Sequence, residues 1–364
     1  MNRRTIILFA IPIAILVLWL SAGGGEKLDL RLSPPENSST TYTMSFFSEV
    51  GINIALEGKP VEISGNTSLS TMFTFARTGQ RDNQPEYTVN YKTLRLTKNF
   101  DTGAERRRLE VDGDKVQMFR NDKLYADTDN IAALPEVSEH QRVFGITERP
   151  MKIVIKPSGR TQGQPLGDSE VVRFFSVATG RQTAFFGFRF PDNPKAVGGN
   201  WSELLPLSQV DAVKFAKGTE PTARLSYRLE KVEERRGRKV AIISLSGPIE
   251  IANVPATMPG FTDEKRIDKS VKIISLTRNL KGTMLHDLDA NRPTRIEINS
   301  ELKILVVMGP ELPEEKKQPD EKNKTEEKDK PDSPGEKKFT PKPPPPPPLI
   351  TMTISTRTVY EEKK

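Results

Sequence analysis

The chain has 364 residues, 55 Lys and Arg against 48 Asp and Glu, a formal net charge of +7, two His and no Cys. Without Cys there is no disulfide scaffold, thiolate metal site or Cys nucleophile, and two His argue against a multi-histidine metal centre. The basic surplus favours anionic neighbours such as lipid headgroups or envelope polymers, while basic residues that do not cluster with aromatics speak against nucleic acid.

Arg3 and Arg4 precede an uncharged apolar run over residues 5–20, and small residues from Ser21 to Gly25 follow before Glu26 restores charge. Signal-peptide cores need roughly 7–15 apolar residues and spanning helices about 20, so this run lies between the two. Residues 1–25 therefore read as an N-terminal hydrophobic helix, either kept as a membrane anchor or removed as a signal peptide. Trp19 suits the interface belt of a retained helix, and Ser21-x-Gly23 or Ala22-x-Gly24 suits a peptidase. Arg3 and Arg4 hold the start in the cytoplasm, which sends the rest out. The protein is expected to be inner-membrane-anchored and facing the periplasm or exterior, or to be periplasmic or secreted.

The body reads as antiparallel β. Tyr42-Thr43-Met44-Ser45-Phe46 alternates apolar and polar residues, as do Phe73-Thr74-Phe75 and Tyr87-Thr88-Val89-Asn90-Tyr91. Such alternation marks strands with one face on a core and one in water. Further strands are expected over residues 151–156, 171–177, 183–190, 223–233, 239–245, 271–276 and 295–307. Asp112-Gly113, Ser158-Gly159 and Arg236-Gly237 supply turns between such runs. Short helices are expected over residues 127–141 and 201–215. The pattern divides into a first β-rich half over 26–150 and a second over 151–309.

Residues 310–348 mix Lys, Glu and Asp with Pro and end in the run from Pro343 to Pro348. With almost no apolar side chains the segment cannot bury enough surface to fold, and its proline run favours a stiff polyproline II rod. Beyond it, Ile350, Met352 and Ile354 alternate with Thr351 and Thr353. Residues 349–364 are therefore expected to return to the sheet beside the strand that precedes the tract, making the tract a disordered loop. The rival reading is a free tail.

Candidate sites are few. Asp287, Asp289 and Asn291 match the first three ligand positions of a calcium loop, but Arg292 stands where the turn wants Gly and Ile298 where a bidentate Glu belongs. A polar hairpin turn accounts for the same residues, and no metal or cofactor is expected. His286 stands beside a carboxylate without a nucleophile or oxyanion signature. Arg106, Arg107, Arg108, Arg235, Arg236 and Arg238 form the densest basic groups, suited to anionic surfaces or to charged strand edges. Phe174, Phe185, Phe186 and Phe188 form the richest aromatic zone, with Trp201 nearby, and fit either a core or a lipid-lined cavity.

Three phrases stand out: Met151-Lys152-Ile153-Val154-Ile155-Lys156-Pro157-Ser158-Gly159, the run Phe190-Pro191-Asp192-Asn193-Pro194 leading to Gly199-Asn200-Trp201, and the turn Gly282-Thr283-Met284-Leu285-His286-Asp287. Together they resemble exported bacterial β proteins related to the lipoprotein-carrier (LolA/LppX-like) superfamily. The resemblance implies a curved antiparallel sheet, half-barrel-like, with helices plugging a concave face that holds acyl chains. The expected function is that of a non-enzymatic envelope protein binding a lipid or other hydrophobic or amphipathic ligand. The alternative is a structural or interaction protein that reaches a protein partner with its Pro-rich arm.

Overall fold

Fifteen strands form one antiparallel sheet in a computed structural model of the chain. The structure describes residues 26–56, 59–113, 115–128, 148–167, 186–206, 214–215, 222–258, 269–308 and 348–363. The leader, the Pro-rich tract and the expected strand over 171–177 lie outside the described residues.

The first flank is a meander of β1 (Ser39–Leu56), β2 (Lys59–Arg81), β3 (Gln84–Asp101), β4 (Arg106–Asp112), β5 (Lys115–Arg120) and β6 (Lys123–Asp127). β7 (Pro150–Ile155) lies against the part of β3 that β4 leaves free, and β8 (Thr161–Gly167) pairs with β7. The second flank contains β9 (Asn200–Pro206), β10 (Lys214–Phe215), β11 (Thr222–Arg235), β12 (Arg238–Met258), β13 (Lys269–Asp287) and β14 (Arg292–Met308). β15 (Leu349–Glu362) joins the flanks. The main order is β6-β5-β4-β3-β2-β1-β15-β14-β13-β12-β11-β9, and the sheet does not close on itself.

Turn chemistry sets the hairpins. Asp82-Asn83, Asn121-Asp122 and Arg236-Gly237 all hold both central residues at positive φ. Two-residue turns of that kind match the right-handed twist of the strands they join.

Two expectations from the sequence are corrected. No α-helix occurs among the described residues, and the stretch expected to be helical over 201–215 begins in β9 and ends in β10. Trp201 stacks on Tyr227 of β11 at 5.6 Å, a contact made by a strand lying in register beside β11. The expectation of a helix over 127–141 begins at the end of β6, and residues 129–141 are outside the described set. Residues 186–190, expected in a strand, are instead irregular, because Gly187 holds φ at 72° and breaks the pleat.

Candidate functional site

One face of the sheet carries the buried side chains, and that inner face has two different ends. At the first end, eight strands contribute one row across the sheet: Leu94, Thr71, Met44, Tyr360, Ile296, Met284, Ile243 and Leu229. Beside it lie the rings of Tyr42, Phe73, Phe75, Tyr87 and Tyr227, all buried. Phe75 stacks on Tyr87 at 4.6 Å, and Tyr42 donates its hydroxyl proton to the Pro293 carbonyl at 2.7 Å. Burial pushes the Tyr87 phenol up to about 12 and the Tyr42 phenol higher still, so neither ionises at neutral pH.

A second layer covers this aromatic end. Leu30 and Leu32 come from the extended segment before β1, and Phe186, Phe188 and Phe190 from the irregular segment after β8. Backbone bonds hold both pieces: Leu32 N–H to the Pro157 carbonyl at 2.8 Å, and Phe190 N–H to the Ser158 carbonyl at 2.9 Å. Phe188 reaches the sheet over Gly282, where a Cβ would stand 3.2 Å from the ring. Arg189, only 4% exposed, pairs with Glu203 of β9 at 2.9 Å, and Arg160 takes the other carboxylate oxygen at 3.0 Å. Burial lowers the Arg189 pKa, and the Glu203 charge opposes that shift.

At the opposite end the inner face is aliphatic. Strand register aligns Ile52, Met352, Ile304, Leu276 and Ile251 in one row across β1, β15, β14, β13 and β12. The next row holds Ile54, Ile350, Val306, Ile273 and Val254. Asn253, at φ 58°, marks where the inward alternation on β12 skips a residue, so that Val254 follows Ile251 onto this face. Ile273, Leu276 and Val306 have no exposed surface. Among the described residues, every buried member of this patch lies on a strand of the sheet itself. The described cover of the aromatic end thus includes segments outside the strands, whereas the described buried members of the aliphatic end all lie on strands.

A belt of small hydroxyls separates the two ends. Thr67, Ser48, Thr356 and Ser300 stand in one row on β2, β1, β15 and β14. Ser48 and Ser300 are buried, and Arg278 of β13 donates to the Ser300 hydroxyl at 3.0 Å. The inner face thus passes from aliphatic through hydroxyl and guanidinium to aromatic within a few residues along each strand.

The residues singled out in the sequence fall elsewhere. Phe174 and Phe185 lie outside the described residues. Phe186 packs on Tyr42, Phe75 and Tyr360, while Phe188 meets Tyr227 at 6.0 Å. Trp201 donates its indole N–H to the Arg189 carbonyl at 2.9 Å. These three rings are brought together, against their own chain. Arg106, Arg107 and Arg108 each face a carboxylate: Asp101 at 3.2 Å, Glu105 at 3.0 Å and Glu110 at 3.1 Å. Hydrogen bonding from Arg107, aided by Arg120, holds the Glu105 carboxyl below its usual range. Arg235 pairs with Glu233, Arg236 forms a turn, and Arg238 binds both Asp287 and Glu362 at 3.2 Å.

The Asp287 carboxylate accepts the Asp289 and Ala290 amides at 3.0 and 2.9 Å and faces Arg238 with its other oxygen. Asp289 and Asn291 complete the β13–β14 turn, with Asn291 at φ 48°. His286 is fully buried, 4.8 Å from the Phe190 ring. Burial pulls its pKa down to about 4 against the opposing influence of Asp287 and the Arg31 backbone, so it is neutral at pH 7. On the other face of the sheet a trough of about 640 Å³ runs past Glu49, Asn66, Asn99, Asp101 and Arg106. Its mostly polar lining does not suit an acyl chain.

Sequence reading missed the aliphatic rows. Their signal is the alternation Ile249/Ile251 and Leu302/Ile304/Val306, but only the sheet register shows that these pairs share a patch. No family model matches the chain, and no curated protein matches it in sequence. Among solved structures the chain is similar to one of lipovitellin, described for its lipid–protein interactions. The TM-score is 0.41 at 10% sequence identity, and the match covers 91% of this chain and 26% of that one.

Proposed function

We propose that this is an exported envelope protein that binds an amphipathic, acyl-chain-bearing ligand on the aliphatic end of its inner face, without catalysing a reaction. The observation that supports this reading is the continuity of the aliphatic rows: Ile52, Met352, Ile304, Leu276 and Ile251 align in register across five neighbouring strands. An acyl chain packs against such rows without directional bonds, at about 0.8 kcal/mol per buried methylene. The hydroxyl belt and Arg278 at the border of the patch suit a polar or anionic headgroup. The resemblance of the turn phrases to the lipoprotein-carrier superfamily points the same way, as does the export-type leader.

Organic extraction of the purified full chain, followed by lipid mass spectrometry, tests the reading. Co-purifying acyl lipid is expected, together with saturable binding of a fluorescent fatty acid that Ile304→Gln weakens at least tenfold. Absence of both lipid and probe binding in the unsubstituted protein would sink it.

A further inference from the structure

The outer face of the sheet carries a row of polar side chains that runs across the strands. Register sets Asn99, Asn66, Glu49, Ser355, Glu301 and Asn279 side by side on β3, β2, β1, β15, β14 and β13. Residues paired in this way point to the same side of the sheet. Every member of the row can hydrogen-bond, and none is apolar. Asn99 donates its amide to the Asn66 side-chain oxygen at 2.8 Å. That bond leaves amide hydrogen on Asn66 and the amide oxygen of Asn99 for other partners. Glu49 and Glu301 flank Ser355, all three exposed, and neither carboxylate meets a cation among the described residues.

The first four members line the trough of about 640 Å³ described above. In the adjoining row Gly51 lowers its floor, since a Cβ there would stand 3.0 Å from the Thr353 hydroxyl oxygen. Phe47, two residues along β1 from Glu49 on the same face, is 43% exposed.

We infer that this row binds an uncharged, β-linked oligosaccharide lying across the strands. The spacing fits. Neighbouring strands lie about 4.8 Å apart, close to the advance of one pyranose along an extended β-linked glycan, so each strand can address one sugar. Six strands span about 24 Å in that direction, a run of several sugars. The chemistry fits as well. Carboxylates and amides take neighbouring hydroxyl pairs through two oxygens or through one donor and one acceptor, and the Phe47 ring offers an apolar surface to sugar C–H groups. The unpaired charges of Glu49 and Glu301 disfavour an anionic polymer. A peptide matches less well: its extended repeat is about 3.3 Å per residue, and its backbone seeks a free sheet edge rather than a face. This face is opposite the aliphatic rows, so the inference stands apart from the lipid reading.

Calorimetric titration of the purified full chain with cellohexaose and with N-acetylated chitohexaose tests it. Saturable binding of at least one is expected, and the matching disaccharide should bind more weakly because it engages fewer strands. Ser355→Arg sets a cation between Glu49 and Glu301 and should weaken hexasaccharide binding about tenfold or more, by occupying the carboxylates. Its melting temperature should hold, since Ser355 is exposed. Glu49→Ala combined with Glu301→Ala supplies the same test should the arginine variant fail to fold. No binding of either hexasaccharide by the unsubstituted chain, or an affinity that these substitutions leave unchanged, would overturn the inference.

Discussion

The two ends of the inner face solve the same burial problem in different ways. The aromatic end is stapled by its own chain: rings stack at defined angles, Tyr42 and Trp201 donate to backbone carbonyls, and Arg189 meets Glu203 in a nearly dry place. Every one of those contacts is directional. The aliphatic end has rows of Ile, Leu, Val and Met drawn from five neighbouring strands, whose only attraction is non-directional. Directional packing specifies a single arrangement, whereas non-directional packing is more tolerant of what it meets. One sheet thereby combines a directionally packed frame at one end with purely aliphatic packing at the other.

The sharpest way to break this comparison is to damage the frame. Phe75→Ala removes a buried ring stacked on Tyr87 and touching Phe186, and should cost about 4 kcal/mol in denaturant unfolding. Arg189→Ala strands the Glu203 charge beside Arg160 alone and should cost about 3 kcal/mol, whereas Arg189→Met combined with Glu203→Leu should recover most of that loss. The ends also differ in pH response, because His286 sits in the aromatic end. Its pKa is depressed from 6.5 to about 4, so the unfolded chain takes up a proton there that the folded chain refuses. The associated stability is complete above pH 6.5 and is lost as pH falls towards 4, by roughly 3 kcal/mol. Subtracting the profile of His286→Leu isolates this contribution from that of the carboxylates.

At the aliphatic end the expected response is to ligand. A fatty acid at a hundred times its Kd should stabilise the protein by about 2.7 kcal/mol, and a tenfold weakening by Ile304→Gln should cut that increment to about 1.4 kcal/mol or less while leaving the Phe75 and His286 effects in place. The smallest effect belongs to the basic groups. Arg107→Ala removes an exposed pair with Glu105 and should change stability by less than about 0.5 kcal/mol, as read from the midpoint of thermal unfolding.

Much of the frame is legible in the sequence. Alternation at Tyr42/Met44/Phe46 or Ile350/Met352/Ile354 follows from the two-residue period of a strand, and Arg236-Gly237 announces its turn. Local rules run out where partners are distant. Nothing near Leu349 says that β1, some 300 residues earlier, is its second neighbour. The aliphatic rows were hidden for the same reason, since each strand contributes only two or three residues to them. Residues 186–190 mislead in a different way: alternating aromatics mimic a strand, yet Gly187 turns the backbone aside and the rings become a lid on the sheet. Arg189, between two of those rings, is a buried ion-pair partner of Glu203.

The position of β15 also fixes when this molecule can become itself. Synthesis delivers β1 long before β15, so the sheet stays split into two meanders until β15 leaves the ribosome. Pairing Tyr42 with Glu362 closes almost the whole length of the chain, and such distant contacts form slowly. Until then both flanks present raw edges that invite mispairing. A nascent chain that lacks β15 is therefore unfinished in the strict sense, and any truncation within Leu349–Glu362 should act on folding yield before it acts on anything the folded sheet does.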